Sequence, residues 1–380
     1  MSGTLIYLVA GEASGDMLGA GFIKSLRQQK SDVCYTGIGG ELMQKEGLQS
    51  LFPYSDLSIM GFIEVVPHIP LLLKRLKQTV QNIADKQPAA VITIDSPGFN
   101  FRLARLLKDN PKTTHIKRIH YVAPSVWAYK PKRAHKTALL FDLLLTLLPF
   151  EPPYFEKEGL KTVFVGHPVL WENQKGNGTA FRTRHDIPAD EPILLILPGS
   201  RMGEVKRLLP IFSQATKALL DHKVVILASP QVKAFIHNHV KPSTLVVDID
   251  EKRDAFAAAN IALSKSGTVT LELAVAGVPM VVAHKVSALS AWLIRRMAYI
   301  PFVSLVNIAL KKEVVPELLQ ERCNPLTIME TLYDLANTES MEQQRRNVNL
   351  ALEALRGNNT ANPNDVAAEA VLSCLHSEKH

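Results

Sequence analysis

The chain has 380 residues, too many for one ordinary hydrophobic core, so two domains are the default. Hydrophobic residues make up 47% and charged residues 21%, the balance of a folded globular protein, and the net charge of +7 points to an anionic partner: nucleotide, nucleic acid or membrane surface. Three cysteines, Cys34, Cys323 and Cys374, lie far apart without C-x-x-C spacing, which argues against a disulfide framework or a structural zinc site and for a reducing compartment.

The first ten residues lack a basic n-region and run straight into an apolar stretch, so no signal peptide is expected. No run of 18 uncharged apolar residues occurs, so no membrane span is expected. The expectation is a cytoplasmic protein that touches a membrane surface. Along the first half, residues 5–10, 90–94, 119–122, 143–147 and 162–165 are short apolar runs that predict buried strands, and residues 17–29 and 71–86 predict helices. The second half repeats the scheme, with strands at 193–197, 223–228, 245–247, 261–263 and 280–283 and helices between. Strand–helix alternation over both halves predicts two doubly wound parallel sheets with ligands at the C-terminal edges of their strands. The expected organisation is an N-terminal Rossmann-like domain over 1–172, a second over 173–345 after a polar, glycine-containing linker, and terminal helices over 346–380 that pack back on a domain or a partner subunit.

After the first strand, Gly11, Glu12, Ala13, Ser14, Gly15 and Asp16 form a glycine-containing loop without the Walker Gly-Lys-Ser/Thr or the dinucleotide fingerprint. It reads either as a loop that lets a sugar or acyl group approach the backbone, or as a tight strand–helix turn. Residues 57–79, with Met60 and Phe62, and residues 286–306 are apolar stretches edged by lysine and arginine. They suit acyl chains or a membrane interface, or ordinary core helices. Asp95 follows the strand at 90–94 and precedes Ser96, Pro97 and Gly98, so it projects from the edge where parallel sheets expose functional groups. There it either takes a proton from a sugar hydroxyl or caps the next helix. The stretch 120–136 interleaves His120, Tyr121, Trp127 and Tyr129 with Lys130, Lys132 and Arg133. It fits a grip on a phosphorylated acceptor or anionic headgroups, or a solvated helix start. Interleaving of this kind also suits single-stranded nucleic acid, but no RNA-binding motif accompanies it.

In the second half, Gly199, Ser200 and Arg201 with Glu204 read as an anion-binding helix start, or as an exposed arginine paired with Glu204. Residues 264–283 are the most informative stretch. Ser266, Gly267 and Thr268 leave backbone N–H groups free at a helix start, where an anion such as a diphosphate is favoured. Glu272 lies one turn on, placed to accept from ribose hydroxyls, or else simply faces solvent on a capped helix. No histidine pair has metal-ligand spacing, and no nucleophile elbow occurs.

Taken in order, GEASGD at 11–16, MGFIEV at 60–65, IDSPGFN at 94–100, HYVAPSVWA at 120–128, LPFE at 148–151, GHP at 166–168, LPGSR at 197–201, SGTVTLE at 266–272, SLVN at 304–307 and VPELLQE at 315–321 resemble the lipid-A-disaccharide synthase family. The resemblance spans nearly the whole chain. It implies a GT-B fold and an inverting, metal-independent and cofactor-free transfer. A diacylated glucosamine would pass from UDP to the 6-hydroxyl of a diacylglucosamine 1-phosphate, giving a β-1,6 disaccharide and UDP. By similarity Asp95 is the essential acid. Arg201, Ser266, Gly267, Thr268, Glu272, Asn307 and Glu317 fall on the nucleotide side, and Gly11, Glu12, Ser14, Gly15, Asp16, Met60, Phe62, Trp127, Lys132 and Arg133 on the acceptor and acyl side. The implied partners are the two acylated substrates and the inner-membrane surface, with no nucleic acid and with homodimerisation left open. Where the family usually has a second acid in the aspartate motif, this chain has Gly98, and Tyr129 and Lys130 depart from the usual continuation after Trp127. Two other readings remain. One is a GT-B enzyme acting on UDP-N-acetylglucosamine, either a peptidoglycan glycosyltransferase or a UDP-sugar 2-epimerase. The other is a non-catalytic membrane- or RNA-associated nucleotide-binding protein.

Overall fold

The computed structural model describes residues 4–57, 66–171, 175–219, 221–286 and 301–376. They divide into two units, one formed by residues 1–171 and 358–380 and the other by residues 172–357.

In the first unit, six parallel strands are β1 (Thr4–Ala10), β2 (Val33–Ile38), β3 (Ala90–Ile94), β4 (Lys117–Tyr121), β5 (Leu143–Thr146) and β6 (Thr162–Phe164), in the order β2-β1-β3-β4-β5-β6. Its helices are α1 (Ala13–Gln29), α2 (Glu41–Lys45), α3 (Ile69–Lys86), α4 (Pro97–Asp109), α5 (Arg133–Ala138) and α6 (Pro152–Glu156). Strand β1 shows why the apolar runs are continuous rather than alternating. Ile6, Leu8 and Ala10 join the core on one face and Tyr7 and Val9 the core on the other, because a parallel sheet is covered on both faces.

The second unit carries β7 (Ile193–Leu197), β8 (Lys223–Ala228), β9 (Leu245–Asp248), β10 (Ile261–Lys265), β11 (Met280–His284) and β12 (Glu317–Leu319), all parallel, in the order β12-β11-β10-β7-β8-β9. Its helices are α7 (Gly178–Arg184), α8 (Met202–Ala215), α9 (Pro230–His237), α10 (Lys252–Ala258), α11 (Thr268–Val275), α12 (Leu305–Leu310), α13 (Pro325–Leu335) and α14 (Thr338–Arg356). The chain returns to the first unit after Gly357. There α15 (Pro363–His376) lays Ala367, Ala368, Val371 and Cys374 into the core beside Phe22, Ile23 and Leu26 of α1. The 345/346 division expected from sequence falls inside α14, and the segment beyond it is shared between the two units.

Every strand expected from sequence is present, and two more, β2 and β12, lie at sheet edges. The topology also selects one position in each sheet. Strand order reverses between β1 and β3 in the first unit and between β7 and β10 in the second, and ligands of open parallel sheets bind at the carboxyl ends of strands flanking such a reversal. Ala10 pairs with Ile94, so Gly11 and Asp95 leave the first sheet side by side; Leu197 pairs with Ser264, so the 198–201 turn and Lys265–Ser266 leave the second together.

Candidate active site

At the reversal in the first sheet, Asp95 and Ser96 turn the chain from β3 into α4 with φ of 51° and 44°, the left-handed region that costs a non-glycine residue about 1–2 kcal/mol. The surroundings hold this turn. The Asp95 N–H donates to the Tyr121 carbonyl at 2.9 Å, and Asn100 Nδ2 donates to the carbonyls of Ile94 and Asp95 at 3.2 and 2.7 Å. Neither Ser96 nor Asn100 caps α4 through its side chain in place of Asp95, since Asn100 bonds backward to the strand end. The Asp95 carboxyl accepts from the Ser14 hydroxyl and the Ser96 N–H, yet burial outweighs both and pushes it above the usual aspartate range. A carboxyl so placed is a better proton acceptor near neutrality than an ordinary aspartate.

The 11–16 loop lies against it. A Cβ on Gly11 would stand 3.0 Å from Ser96 Oγ and 3.1 Å from Leu57 Cβ, so glycine there permits the two strand ends to approach. Glu12 accepts from Ser96 Oγ at 3.4 Å, and Gly15 is buried. Asp16 departs from the expectation. Its carboxylate, 4% exposed, accepts from the N–H groups of Gly40, Leu42 and Met43 at 2.8–3.0 Å, so it caps α2 and is not placed to meet an acceptor.

The aromatic–basic stretch is likewise divided. His120 is a core residue, stacked on Phe141 at 4.9 Å with Nδ1 2.8 Å from Thr93 Oγ1, and burial lowers it to about 3. Trp127 is partly exposed and donates through Nε1 to Glu151 Oε1 at 3.1 Å. Glu151, only 3% exposed, is lifted by burial to about 7, against hydrogen bonds from Trp127, Leu148 and Leu147. The HYVAPSVWA and LPFE motifs therefore meet through this bond and through the edge-to-face contact of Trp127 with Phe150. Lys132 is exposed, and Arg133 donates to the Tyr129 hydroxyl at 2.8 Å. Met60 and Phe62 lie outside the described residues.

At the reversal in the second sheet, Gly199 has φ 110°, and a Cβ there would meet Glu204 Oε2 at 2.5 Å. Glu204 gathers two cations, with Arg201 Nη1 at 3.4 Å and Lys265 Nζ at 3.0 Å. Ser266 follows β10, and Gly267 and Thr268 are exposed where α11 begins, with the first N–H groups of the helix lacking intrahelical carbonyls. This edge offers N–H groups and cations to an anion. Glu272 lies one turn further and pairs with Lys252 Nζ at 2.6 Å, so it is not the free solvated carboxylate that was the plain alternative.

Asn307 and Glu317, expected on the nucleotide side, serve the fold. Asn307 is fully buried: Nδ2 donates to Val315 O and Glu317 Oε1, both at 2.8 Å, and Oδ1 accepts from Val314 and Val315 N–H at 2.7 and 2.9 Å. Glu317, 4% exposed, also accepts from the N–H groups of Val303 and Ser304 at 2.8 Å. The pair ties the start of α12 to β12, and all four hydrogen-bonding positions of the Asn307 amide are filled.

Sequence reasoning did not single out Glu151, Lys252, Lys265 or His284. Glu151 had a signal, a lone carboxylate directly after the apolar run Leu147–Phe150. The others had none, because the fold brings each to its partner from 18 or more residues away.

The chain matches the family model described as lipid-A-disaccharide synthetase over residues 6–371. It is 45% identical to the lipid-A-disaccharide synthase of Paramagnetospirillum magneticum, over 99% of this chain and 98% of that one, and 42% identical to that of Gluconobacter oxydans, over 98% and 91%. Among solved structures it is similar to the UDP-GlcNAc 2-epimerase of Neisseria meningitidis, with TM-score 0.65 and 13% identity over 97% and 99% of the two chains. It is also similar to MurG of Acinetobacter baumannii, with TM-score 0.55 and 15% identity over 98% and 99%. Identities this low carry the fold alone, and with the two parallel six-stranded sheets that fold is GT-B.

Proposed function

The chain belongs to the lipid-A-disaccharide synthetase family, and on that premise we propose that it moves a 2,3-diacylglucosamine from UDP to the 6-hydroxyl of 2,3-diacylglucosamine 1-phosphate. The observation that carries the mechanism is Asp95, a carboxyl raised by burial at the strand reversal of the first sheet and oriented by Ser14. Asp95 takes the proton of the acceptor hydroxyl as its oxygen attacks the anomeric carbon. The bond from that carbon to the diphosphate oxygen breaks with its electron pair, UDP leaves, and the single displacement inverts the centre. Arg201, Ser266 and the N–H groups of Gly267 and Thr268 receive the developing charge, and Glu272 accepts from the ribose hydroxyls beside Lys252.

Glu12, Ser14, Trp127, Lys132 and Arg133 form the acceptor side, where Glu12 and Ser14 act next to Asp95 and the two cations meet the 1-phosphate. Among the described residues no helix is long and apolar enough to cross a membrane. The exposed Ile69 and Leu73 on α3, beside Lys74 and Lys77, support contact with an anionic membrane surface from which acylated substrates are drawn. Mixing the purified protein with the two acylated substrates tests the reading. UDP and a β-1,6-linked disaccharide 1-phosphate are expected, and failure to release UDP from that mixture contradicts it.

A further inference from the structure

His284 closes β11, and its ring Nδ1 lies 2.6 Å from Ser266 Oγ, the first side chain beyond the neighbouring strand β10. The pair sits immediately before the start of α11. Among the described residues, the charged groups that face the ring are Lys265 from β10 and Arg207 and Glu204 from α8; on the β12 side its register partner is the apolar Leu319. Burial, then Lys265 and Arg207, hold the imidazole down to about 4, with Glu204 pulling the other way, so the ring is neutral near pH 7.

We propose that His284 is a positioning residue of the leaving-group site, and that its ring takes up one proton when a nucleoside diphosphate binds and thereby turns the Ser266 hydroxyl toward the anion. With the neutral ring's proton on Nε2, Ser266 O–H donates to Nδ1 and its hydrogen is committed to the ring. A diphosphate at the start of α11 brings negative charge against Lys265 and Arg207, the two cations that oppose an imidazolium. A solvent proton then joins Nδ1, Nδ1–H donates to Ser266 Oγ, and the hydroxyl hydrogen is released to a phosphate oxygen. No covalent bond changes other than the N–H formed. The inference rests on the reading of this edge as the diphosphate site.

Calorimetry of UDP binding to the full chain, in buffers of different ionisation enthalpy, counts the protons taken up. UDP's own titration is common to all variants, so the difference between wild type and His284→Gln is what is read. Wild type is expected to take up a substantial fraction of one proton more than His284→Gln near pH 6. The variant should bind UDP about tenfold more weakly there, with the gap closing toward pH 8. Ser266→Ala should keep the extra proton yet lose affinity. Equal proton counts in wild type and His284→Gln, an affinity ratio independent of pH, or wild-type affinity in Ser266→Ala would each overturn the proposal. Absence of UDP binding to wild type would instead overturn the diphosphate reading beneath it.

Discussion

The two strand reversals solve the same topological problem with opposite chemistry. At the first, the chain leaves β3 through Asp95 and Ser96, both left-handed, and the next strand over, β4, ends in Val122 at φ 81°, a conformation that a β-branched residue rarely adopts. At the second, the turn after β7 takes its positive φ at Gly199, where no side chain resists it. The difference follows from what each edge presents. In the proposed mechanism the base is a side chain, and the first edge carries the backbone strain that aims it. In the same proposal the second edge holds an anion with N–H groups and cations, which glycine suits.

Changes at the second edge should show the larger losses after Asp95 itself. Arg201→Ala removes a cation preorganised by Glu204 and should lower kcat by about 10²–10³ in single-turnover assays. Loss of UDP affinity with unchanged kcat would mean that Arg201 binds ground state and transition state alike. Glu151→Gln changes stability in a pH-dependent way. For this carboxyl the folded value, about 7, lies above the unfolded value near 4.5, so the folded chain binds more protons between them. Wild-type stability should therefore fall as pH rises through that window, by on the order of 3 kcal/mol, and level off above it. Urea unfolding of Glu151→Gln should lack that slope, and parallel curves would disprove the burial account. Glu317→Ala leaves buried N–H groups unpaired and should cost about 1–3 kcal/mol in unfolding free energy. The smallest effect is the relief of strain. Ser96→Gly should stabilise the first unit by up to about 1 kcal/mol, whereas a stability loss would show that its contacts outweigh its backbone cost.

The sheet cores were legible in the sequence, because strands buried on both faces read as unbroken apolar runs, as in Ile193–Leu197. β2 and β12 were not. They are edge strands, the first with only its last two positions buried and the second three residues long and opening on Glu317. Of the candidate site, the placement of Asp95, the 11–15 loop, Arg201 and the 266–272 turn just beyond strand ends was readable, since each follows an apolar run. Motif membership misled at Asp16, Asn307 and Glu317, because it does not distinguish a residue that meets a ligand from one that holds the segment in place. Only the hydrogen-bond partners do, and Asp16 finds its partners 24–27 residues away. Gly98, three residues after Asp95, opens on space: a Cβ there would meet nothing within 4 Å.

The contrast between a side-chain edge and a cradle edge is tested most directly by Asp95→Asn, assayed for both disaccharide formation and UDP affinity. Turnover should fall by about 10²–10⁴ while UDP affinity stays at the wild-type value. Turnover close to wild type in a folded Asp95→Asn protein would contradict the account.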